Sequence, residues 1–349
     1  MTSRPVVVGW DVGGAHLKAA RVGADGRVDC VVEVACPLWQ GLSHLETALA
    51  SVRSAVGKGT LHAITMTAEM VDLFLSREDG VRQLVEALRL GLPGAPLRFF
   101  AGSDGFLDAS AAANAGVRIA SANWLAAAAV AARATGSALL VDVGTTTTDL
   151  IPVIVGRVAA EGVHDAGRLV AGELVYTGVV RTAIMALTPR APFDGEWVPL
   201  MAEYFANLAD VYRLTGQLPP RADLHPAADG GPKTLVGSAR RLARMVGRDL
   251  ESAPMAAWQD LAGWLAREQA RQIGDACDRM LSRPDMPRDA PLIGAGVGRF
   301  VLPGIAAARG RSYREFAMLV PTVPGAEAGA SDCAPAVAVA LLAAAAGPL

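Results

Sequence analysis

Two carboxylates, each ending an apolar run and each followed by glycine, are the residues of this chain best suited to chemistry. Leu139–Leu140–Val141–Asp142–Val143–Gly144–Thr145–Thr146–Thr147–Thr148–Asp149–Leu150 reads as a buried strand that delivers Asp142 to a tight turn of hydroxyl and N–H donors. Near the start, Val6–Val7–Val8–Gly9–Trp10–Asp11–Val12–Gly13–Gly14 repeats the order strand, aspartate, apolar residue, glycine. A carboxylate at such a strand end can hold Mg²⁺ directly or through water, and Gly13, Gly14 and Gly144 let the backbone approach a polyphosphate closely. Thr145, Thr146 and Thr147 add hydroxyls, and successive N–H groups there can form an anion nest. A single aspartate of this kind can be only a turn cap. Two matched copies in one chain favour a site.

Other residues join these two turns. Asp149 can bind metal, orient water or satisfy its own turn. Lys18 lies on the strand after the first glycine turn, where it can reach a phosphate or stay solvated, and His16 stands beside it. Gly294–Ala295–Gly296–Val297–Gly298 forms a third glycine turn after a strand. It lacks the spacing and the acidic partner of a dinucleotide site. Thr65–Met66–Thr67–Ala68–Glu69–Met70 follows another strand, with Asp72, Arg77 and Glu78 nearby, and Ala122–Asn123–Trp124 opens a helix. Asp229–Gly230–Gly231–Pro232–Lys233 sits in a long loop before Arg240, Arg241 and Arg244. Those arginines have the spacing of a solvated helix face more than of an anion clamp.

The elements that must position these residues follow from periodicity. Strands are expected at 6–12, 16–22 and 28–36, with Asp25-Gly26 as a hairpin turn. Helical spacing covers 42–54, a strand 61–66, a helix 81–90, a strand 98–100 and an alanine-rich helix 123–134. The pattern then restarts, with strands at 138–143, 149–155 and 158–160 and a turn at Gly156-Arg157. Three strands followed by helices thus occur twice, which suggests two related α/β domains with a central cleft. The expected boundary gives domains 1–135 and 136–349. The second carries a helical insertion at about 197–285, interrupted by a loop at 218–233, and a closing helix at 333–346.

The totals limit the function classes. A chain of 349 residues, 52% hydrophobic and 19% charged, can bury a large core. A formal charge of −2 gives no basic excess for nucleic acid or an anionic membrane. No apolar signal core follows Met1, and the alanine-rich runs are too short to span a bilayer, so a cytoplasmic protein is expected. Cys30, Cys36, Cys277 and Cys333 form no CxxC pair, which leaves ordinary packing as their expected role. Serine-hydrolase elbow, Walker A, HExxH and paired CxxC patterns are absent.

The two strand–Asp–x–Gly turns with a later glycine turn resemble the actin, sugar kinase and heat-shock chaperone superfamily. Within it, Gly9–Trp10–Asp11–Val12–Gly13–Gly14–Ala15 and the Val141–Asp149 stretch resemble the hydantoinase A/oxoprolinase family. Pro37–Leu38–Trp39, Thr65–Met66–Thr67–Ala68–Glu69, Ala122–Asn123–Trp124–Leu125, Gly172–Glu173–Leu174–Val175–Tyr176–Thr177–Gly178 and Arg241–Leu242–Ala243–Arg244–Met245 look like its short subgroup, tied to tetrahydromethanopterin-linked one-carbon metabolism. The resemblance implies two ribonuclease H-like domains of the actin-like ATPase superfold. It also implies a transferase of methanofuran or methylofuran assembly. Such an enzyme couples an aminomethylfuran-methyl diphosphate to the phenol oxygen of γ-glutamyltyramine, or a tyrosine-derived analogue, and releases diphosphate.

On that reading Asp11 and Asp142 hold Mg²⁺, and ATP is the weaker cofactor candidate. Gly13, Gly14, Lys18, Gly144, Thr145, Thr146, Thr147, Gly294, Gly296 and Gly298 bind diphosphate or substrate. His16, Glu69 and Asp149 are the candidate bases. The expected partners are these small molecules, without nucleic acid or membrane. An alanine-rich surface helix is offered for a homodimer. Competing readings are an ATP-dependent hydantoinase- or oxoprolinase-like hydrolase, a small-molecule kinase, and a non-enzymatic nucleotide-sensing module.

Overall fold

The computed structural model describes residues 5–346, with the backbone alone described at Val117. In chain order its strands and helices are β1 (Val7–Val12), β2 (His16–Val22), β3 (Val28–Ala35), α1 (Ser43–Val56), β4 (Leu61–Met66), α2 (Arg77–Gly91), β5 (Leu97–Phe100), β6 (Phe106–Leu107), α3 (Ala109–Ala113), α4 (Asn123–Ala134), β7 (Ala138–Val143), β8 (Thr148–Ile154) and β9 (Arg157–Val158). There follow α5 (Asp165–Ala171), β10 (Leu174–Val175), α6 (Ile184–Leu187), β11 (Arg190–Phe193), β12 (Glu196–Pro199), α7 (Leu208–Leu214), α8 (Leu235–Met245), α9 (Met255–Leu281), β13 (Leu292–Ala295), α10 (Leu302–Ala307), β14 (Tyr313–Glu315), α11 (Glu327–Asp332) and α12 (Ala334–Ala346).

These elements form two compact units. One holds the described residues through Leu140, Ile151–Asp165 and those from Arg314 onward. The other holds Val141–Leu150 and Ala166–Tyr313. This is a different cut from the halves 1–135 and 136–349. The closing helix α12 belongs to the first unit, where it packs on β1, β2, β4 and α4.

The first unit is built on a sheet of order β3-β2-β1-β4-β5-β6. β1, β2 and β3 are antiparallel, and β4 and β5 run parallel to β1. Side chains alternate along β1. Val8, Trp10 and Val12 enter the apolar core beside Leu45, Leu49, Leu84 and Leu88 of α1 and α2. Gly9 faces α12 instead. A Cβ there would lie 2.1 Å from the Ala336 carbonyl oxygen, so only glycine admits the helix at this distance. The alternation puts Asp11 on the Gly9 face. Alanines of α4 and α12 are buried within this unit, so these helices are not the free surface offered for a homodimer.

A second sheet has the order β10-β8-β7-β13-β14, with β9 beside β8. The hairpin between β8 and β9 turns at Val155 and Gly156, whose φ values of 49° and 70° have the positive-φ pair of a two-residue hairpin turn. The turn therefore falls one residue earlier than expected. The stretch expected to be helical from Trp197 begins with the hairpin β11–β12, on which Phe193 stacks against the buried Trp258 of α9 at 4.7 Å. Helices α7, α8 and α9 then pack on one another as the expected insertion.

Arg241 is buried, against the expectation of a solvated arginine face. It pairs with Asp210 at 2.7 Å and Asp229 at 3.0 Å. The pairing ties the 218–233 loop to α7 and α8, where a charge with no partner would be costly.

Candidate functional site

In the first unit, four side chains line up across one face of the sheet. Register places Lys18 opposite Asp11, Glu33 opposite Lys18, and Thr65 on the other side of Asp11. Lys18 pairs with Glu33 at 3.8 Å, which takes up part of the charge the sequence offered to a phosphate. Asp11 is 5% exposed and lies 3.5 Å from Asn123 Nδ2 at the start of α4. It is close enough to the residue before α12 to act on the Cys333 thiol, which burial pushes well up, with Glu33 and Asp11 adding to the rise. His16, buried, opens β2.

The first glycine turn packs against the end of β4. Gly13 N–H donates to the His16 carbonyl at 3.0 Å, and Thr67 N–H to the Val12 carbonyl at 2.9 Å. A Cβ at Gly14 would sit 2.7 Å from Val71 Cγ1. The turn after β4 thus joins the Asp11 site. At the end of β4 and along this turn two buried oxygens, Thr65 Oγ1 and Glu69 Oε2, have no hydrogen-bond partner among the described residues, and each residue is 1% exposed. Buried polar groups without a partner cost free energy, so these two oxygens are suited to accept or donate a further hydrogen bond.

The other Glu69 oxygen, Oε1, meets Ser121 Oγ at 2.8 Å. Ser121 Oγ also lies 3.0 Å from Asp165 Oδ2, which pairs with Arg77 at 2.6 Å. Burial raises the Glu69 carboxyl above the usual glutamate range. The Ser121 bond, the backbone N–H of Glu69 itself and the Arg77 charge oppose that rise, and the Asp165 charge adds to it.

In the second unit, the threonine turn is held by its carbonyls. Gly144 O accepts from Val179 N–H, and Thr145 O from Val180 and Arg181 N–H, at 2.8–3.2 Å. A planar trans peptide points its N–H opposite to its C=O. The Thr145 and Thr146 N–H groups are therefore turned away from residues 179–181. Neither they nor Thr147 N–H donate to another group among the described residues. Three successive free N–H groups beside the Thr145 and Thr146 hydroxyls make a cradle suited to an anion.

Gly178 lets the pinning segment approach, since a Cβ there would lie 2.4 Å from Thr146 N. Behind the turn, Thr148 Oγ donates to Thr177 O at 2.6 Å. Gln269 Nε2 of α9 donates to Thr177 Oγ at 2.8 Å, and Tyr212 O–H donates to Gln269 Oε1 at 2.6 Å.

The third glycine turn meets Asp142 directly. Gly296 has φ +79°, and a Cβ there would lie 2.2 Å from the Val143 carbonyl oxygen and 2.4 Å from Asp142 Oδ1. Gly298 N–H donates to Val143 O at 2.8 Å. Gly294 and Gly298 serve close packing, against Tyr313 and against Val143 and Val179. Asp149 is held at 2.8 Å by Arg168, a residue 1% exposed, which also donates to the Glu173 carbonyl.

Sequence reasoning missed Ser121, Asp165, Arg168 and Gln269. Ser121 adjoins the Ala122–Asn123–Trp124 signal, but the other three lie in segments with no motif.

The strand order of the first sheet is that of a ribonuclease H-like domain. The whole chain is similar to a nucleotide-free acetone carboxylase structure, with a TM-score of 0.56 at 11% identity over 96% of this chain and 70% of that one. The fold is thus α/β, of two ribonuclease H-like domains in the actin-like ATPase class. A ROK family glucokinase from Streptomyces griseus also aligns, with a TM-score of 0.45 at 16% identity over 96% and 98% of the two chains. In sequence, the (4-{4-[2-(gamma-L-glutamylamino)ethyl]phenoxymethyl}furan-2-yl)methanamine synthase of Methanocaldococcus jannaschii is 28% identical over 292 residues, 83% of this chain and 86% of that enzyme. The enzyme of the same name from Methanococcus vannielii is 32% identical over 112 residues, 32% of this chain and 50% of that one. The family model for hydantoinase/oxoprolinase matches residues 60–344, from the strand that carries Thr65 to the closing helix, and the chain belongs to that family.

Proposed function

We propose that this chain is a transferase of methanofuran or methylofuran assembly. It joins an aminomethylfuran-methyl diphosphate to the phenol oxygen of γ-glutamyltyramine, or a tyrosine-derived analogue, and releases diphosphate. One observation carries this reading: the 28% identity, over 83% of the chain, to an enzyme whose name describes a phenol and a furan joined through a phenoxymethyl bridge. Making that bridge requires one new carbon–oxygen bond at the furan methylene. The methylene–oxygen bond to diphosphate breaks, the electron pair leaves with diphosphate, and the phenol proton passes to a base.

The residues present suit that chemistry. The three free N–H groups at Thr145–Thr147 and the threonine hydroxyls can take the negative charge of a diphosphate. Mg²⁺ fits the donor set, because it commonly uses one or two carboxylates with water and substrate phosphates. Asp142 offers one carboxylate beside the threonine turn of the second unit, and Asp11 offers one in the first unit. Among the described residues no group of three or more His, Cys, Asp or Glu forms a cage of protein ligands alone. The ion, when bound, would neutralise charge on the leaving diphosphate.

Among the candidate bases, Asp149 is committed to Arg168, whereas Glu69 keeps one buried oxygen open. Gly13, Gly14, Lys18 and His16 border the Asp11 end. No helix among the described residues is long and apolar enough to cross a membrane, and we place the reaction on small molecules in the cytoplasm.

The test mixes protein, furan diphosphate, γ-glutamyltyramine and Mg²⁺ without ATP. Ether and diphosphate are expected in equal amounts. Absence of ether, with turnover of added ATP, would point instead to a kinase or a hydantoinase-like hydrolase.

A further inference from the structure

Ser121 stands between two carboxyl groups, and its proton count does not suit both as anions. Its Oγ lies 2.8 Å from Glu69 Oε1 and 3.0 Å from Asp165 Oδ2. One hydroxyl proton can lie along only one of these lines. The other contact is attractive only if a carboxyl group supplies the proton. Asp165 Oδ2 also accepts from Arg77 Nη2 at 2.6 Å, so that oxygen already has a donor, whereas Glu69 has no cation within hydrogen-bond reach among the described residues. Glu69 is therefore the group that carries the extra proton.

Its surroundings agree. Glu69 is 1% exposed, Oε2 has no partner among the described residues, and burial favours its neutral form. The charges acting on it are Arg77 and Asp165. Nearby on α2, Asp79 is occupied by Arg82 and Gln83, and Glu78 lies against Gly116. The Met70 sulfur, 3.6 Å from Ser121 Oγ, is a weaker acceptor than either carboxyl group. Ser121 itself has φ +50°, a conformation that non-glycine residues seldom adopt. The fold holds that strain where the hydroxyl bridges the two acids.

We propose that Glu69 is protonated in the resting protein and that Glu69, Ser121 and Asp165 form a proton relay whose open end, Glu69 Oε2, receives the acidic hydroxyl of the acceptor substrate. The acceptor's identity as a phenol rests on the ether-forming reading; the resting protonation and the chain of bonds do not. In the step, the phenol proton moves to Glu69 Oε2 as the phenol oxygen bonds to the methylene. The proton on Oε1 moves to Ser121 Oγ, and the Ser121 proton moves to Asp165 Oδ2 and from there to water. Glu69 ends as it began, a neutral acid, so it passes a proton through without gaining charge. Ser121 is a positioning residue that acts through Glu69.

Difference infrared spectroscopy at pH 7 between the wild type and Glu69→Gln tests the resting state without turnover. A carboxylic acid C=O band is expected in the wild type, lost in Glu69→Gln and shifted in Ser121→Ala. No such band in the wild type overturns the proposal, whatever the protein catalyses. In turnover, Ser121→Ala should lower kcat by about 10- to 100-fold, at or below the low end of general acid–base effects as suits a residue acting through another, with KM for the furan diphosphate little changed. Rates in H₂O/D₂O mixtures should curve for the wild type and become linear for Ser121→Ala. A linear wild-type plot overturns the relay. Should Ser121→Ala fail to fold, Ser121→Gly replaces it, since glycine accepts φ +50° without strain. If no variant, wild type included, forms ether while the infrared band is present, the ether-forming reading fails and the protonated Glu69 stands.

Discussion

A buried carboxyl group couples charge to stability, and Glu69 makes that coupling measurable. Burial raises its folded-state pKa above the unfolded value of about 4.3. Its contribution to stability is therefore complete below that unfolded value and is lost as pH rises through the folded one. Glu69→Gln keeps the shape of the neutral acid without titrating. The wild type should lose melting temperature relative to Glu69→Gln as pH rises from about 4.3. A difference constant across pH would show that Glu69 does not titrate in this way.

Gly296 gives a second prediction at this scale. Alanine there would need φ +79° and would place Cβ against Val143 O and Asp142 Oδ1. Gly296→Ala should destabilise by about 1 kcal/mol or more through the backbone alone. By displacing Asp142 it should also weaken diphosphate binding, measured by calorimetry. Unchanged affinity in a folded variant would separate Asp142 from the diphosphate site.

Asp11 and Asp142 were legible because each ends an apolar run before a glycine. Ser121 and Asp165 were not, because Ser121 meets Glu69 across 52 residues of chain and Asp165 meets Ser121 across 44. Only tertiary packing makes Asp165 and Ser121 neighbours.

Among the elements, the threonine turn owes its shape to what stands behind it. Val179, Val180 and Arg181 fix its carbonyls, while Gln269, fully buried on α9, bridges Tyr212 and Thr177. Gln269→Leu fills the space and removes both bonds. It strands the Tyr212 hydroxyl and Thr177 Oγ, each in a site where an unmet polar group costs about 1–3 kcal/mol. Chemical denaturation should show a loss of that order, and diphosphate affinity should fall as the turn loosens. A variant as stable as the wild type would mean that water or a rotated side chain replaces both bonds.

Strong periodicity made β1–β3, α1, β4 and the start of the second sheet readable. The β11–β12 hairpin was hidden because its strands are short and Trp197, more than half exposed, gives no alternation. Arg241 was misread for the opposite reason. Helical spacing places charges on a face, but it cannot show that Asp210 and Asp229 cover that face.

For the molecule as a whole, the path of the chain matters more than any boundary in the sequence. The first unit begins with β1 and is completed only by residues from Arg314 onward. Its last element, α12, is nearly all small and apolar, and it covers the Gly9 face of the sheet at backbone contact. Without it, Val7 and Gly9 would face water, and so would the inner faces of β2, β4 and α4 against which α12 packs. Residues 5–140 alone should therefore not reproduce the first unit, although they contain all six strands of its sheet. A chain ending at residue 313 should lose cooperative melting of that unit. Its thiols report the loss. Cys36, fully buried with its pKa pushed up to about 11 by burial, should resist alkylation in the full chain and react in the shortened one. Adding a peptide of residues 314–349 should restore protection if α12 supplies only packing. Continued protection of Cys36 without the peptide would show that the sheet holds its core with one face uncovered, and that the closing helix shapes the Asp11 end instead of stabilising the unit.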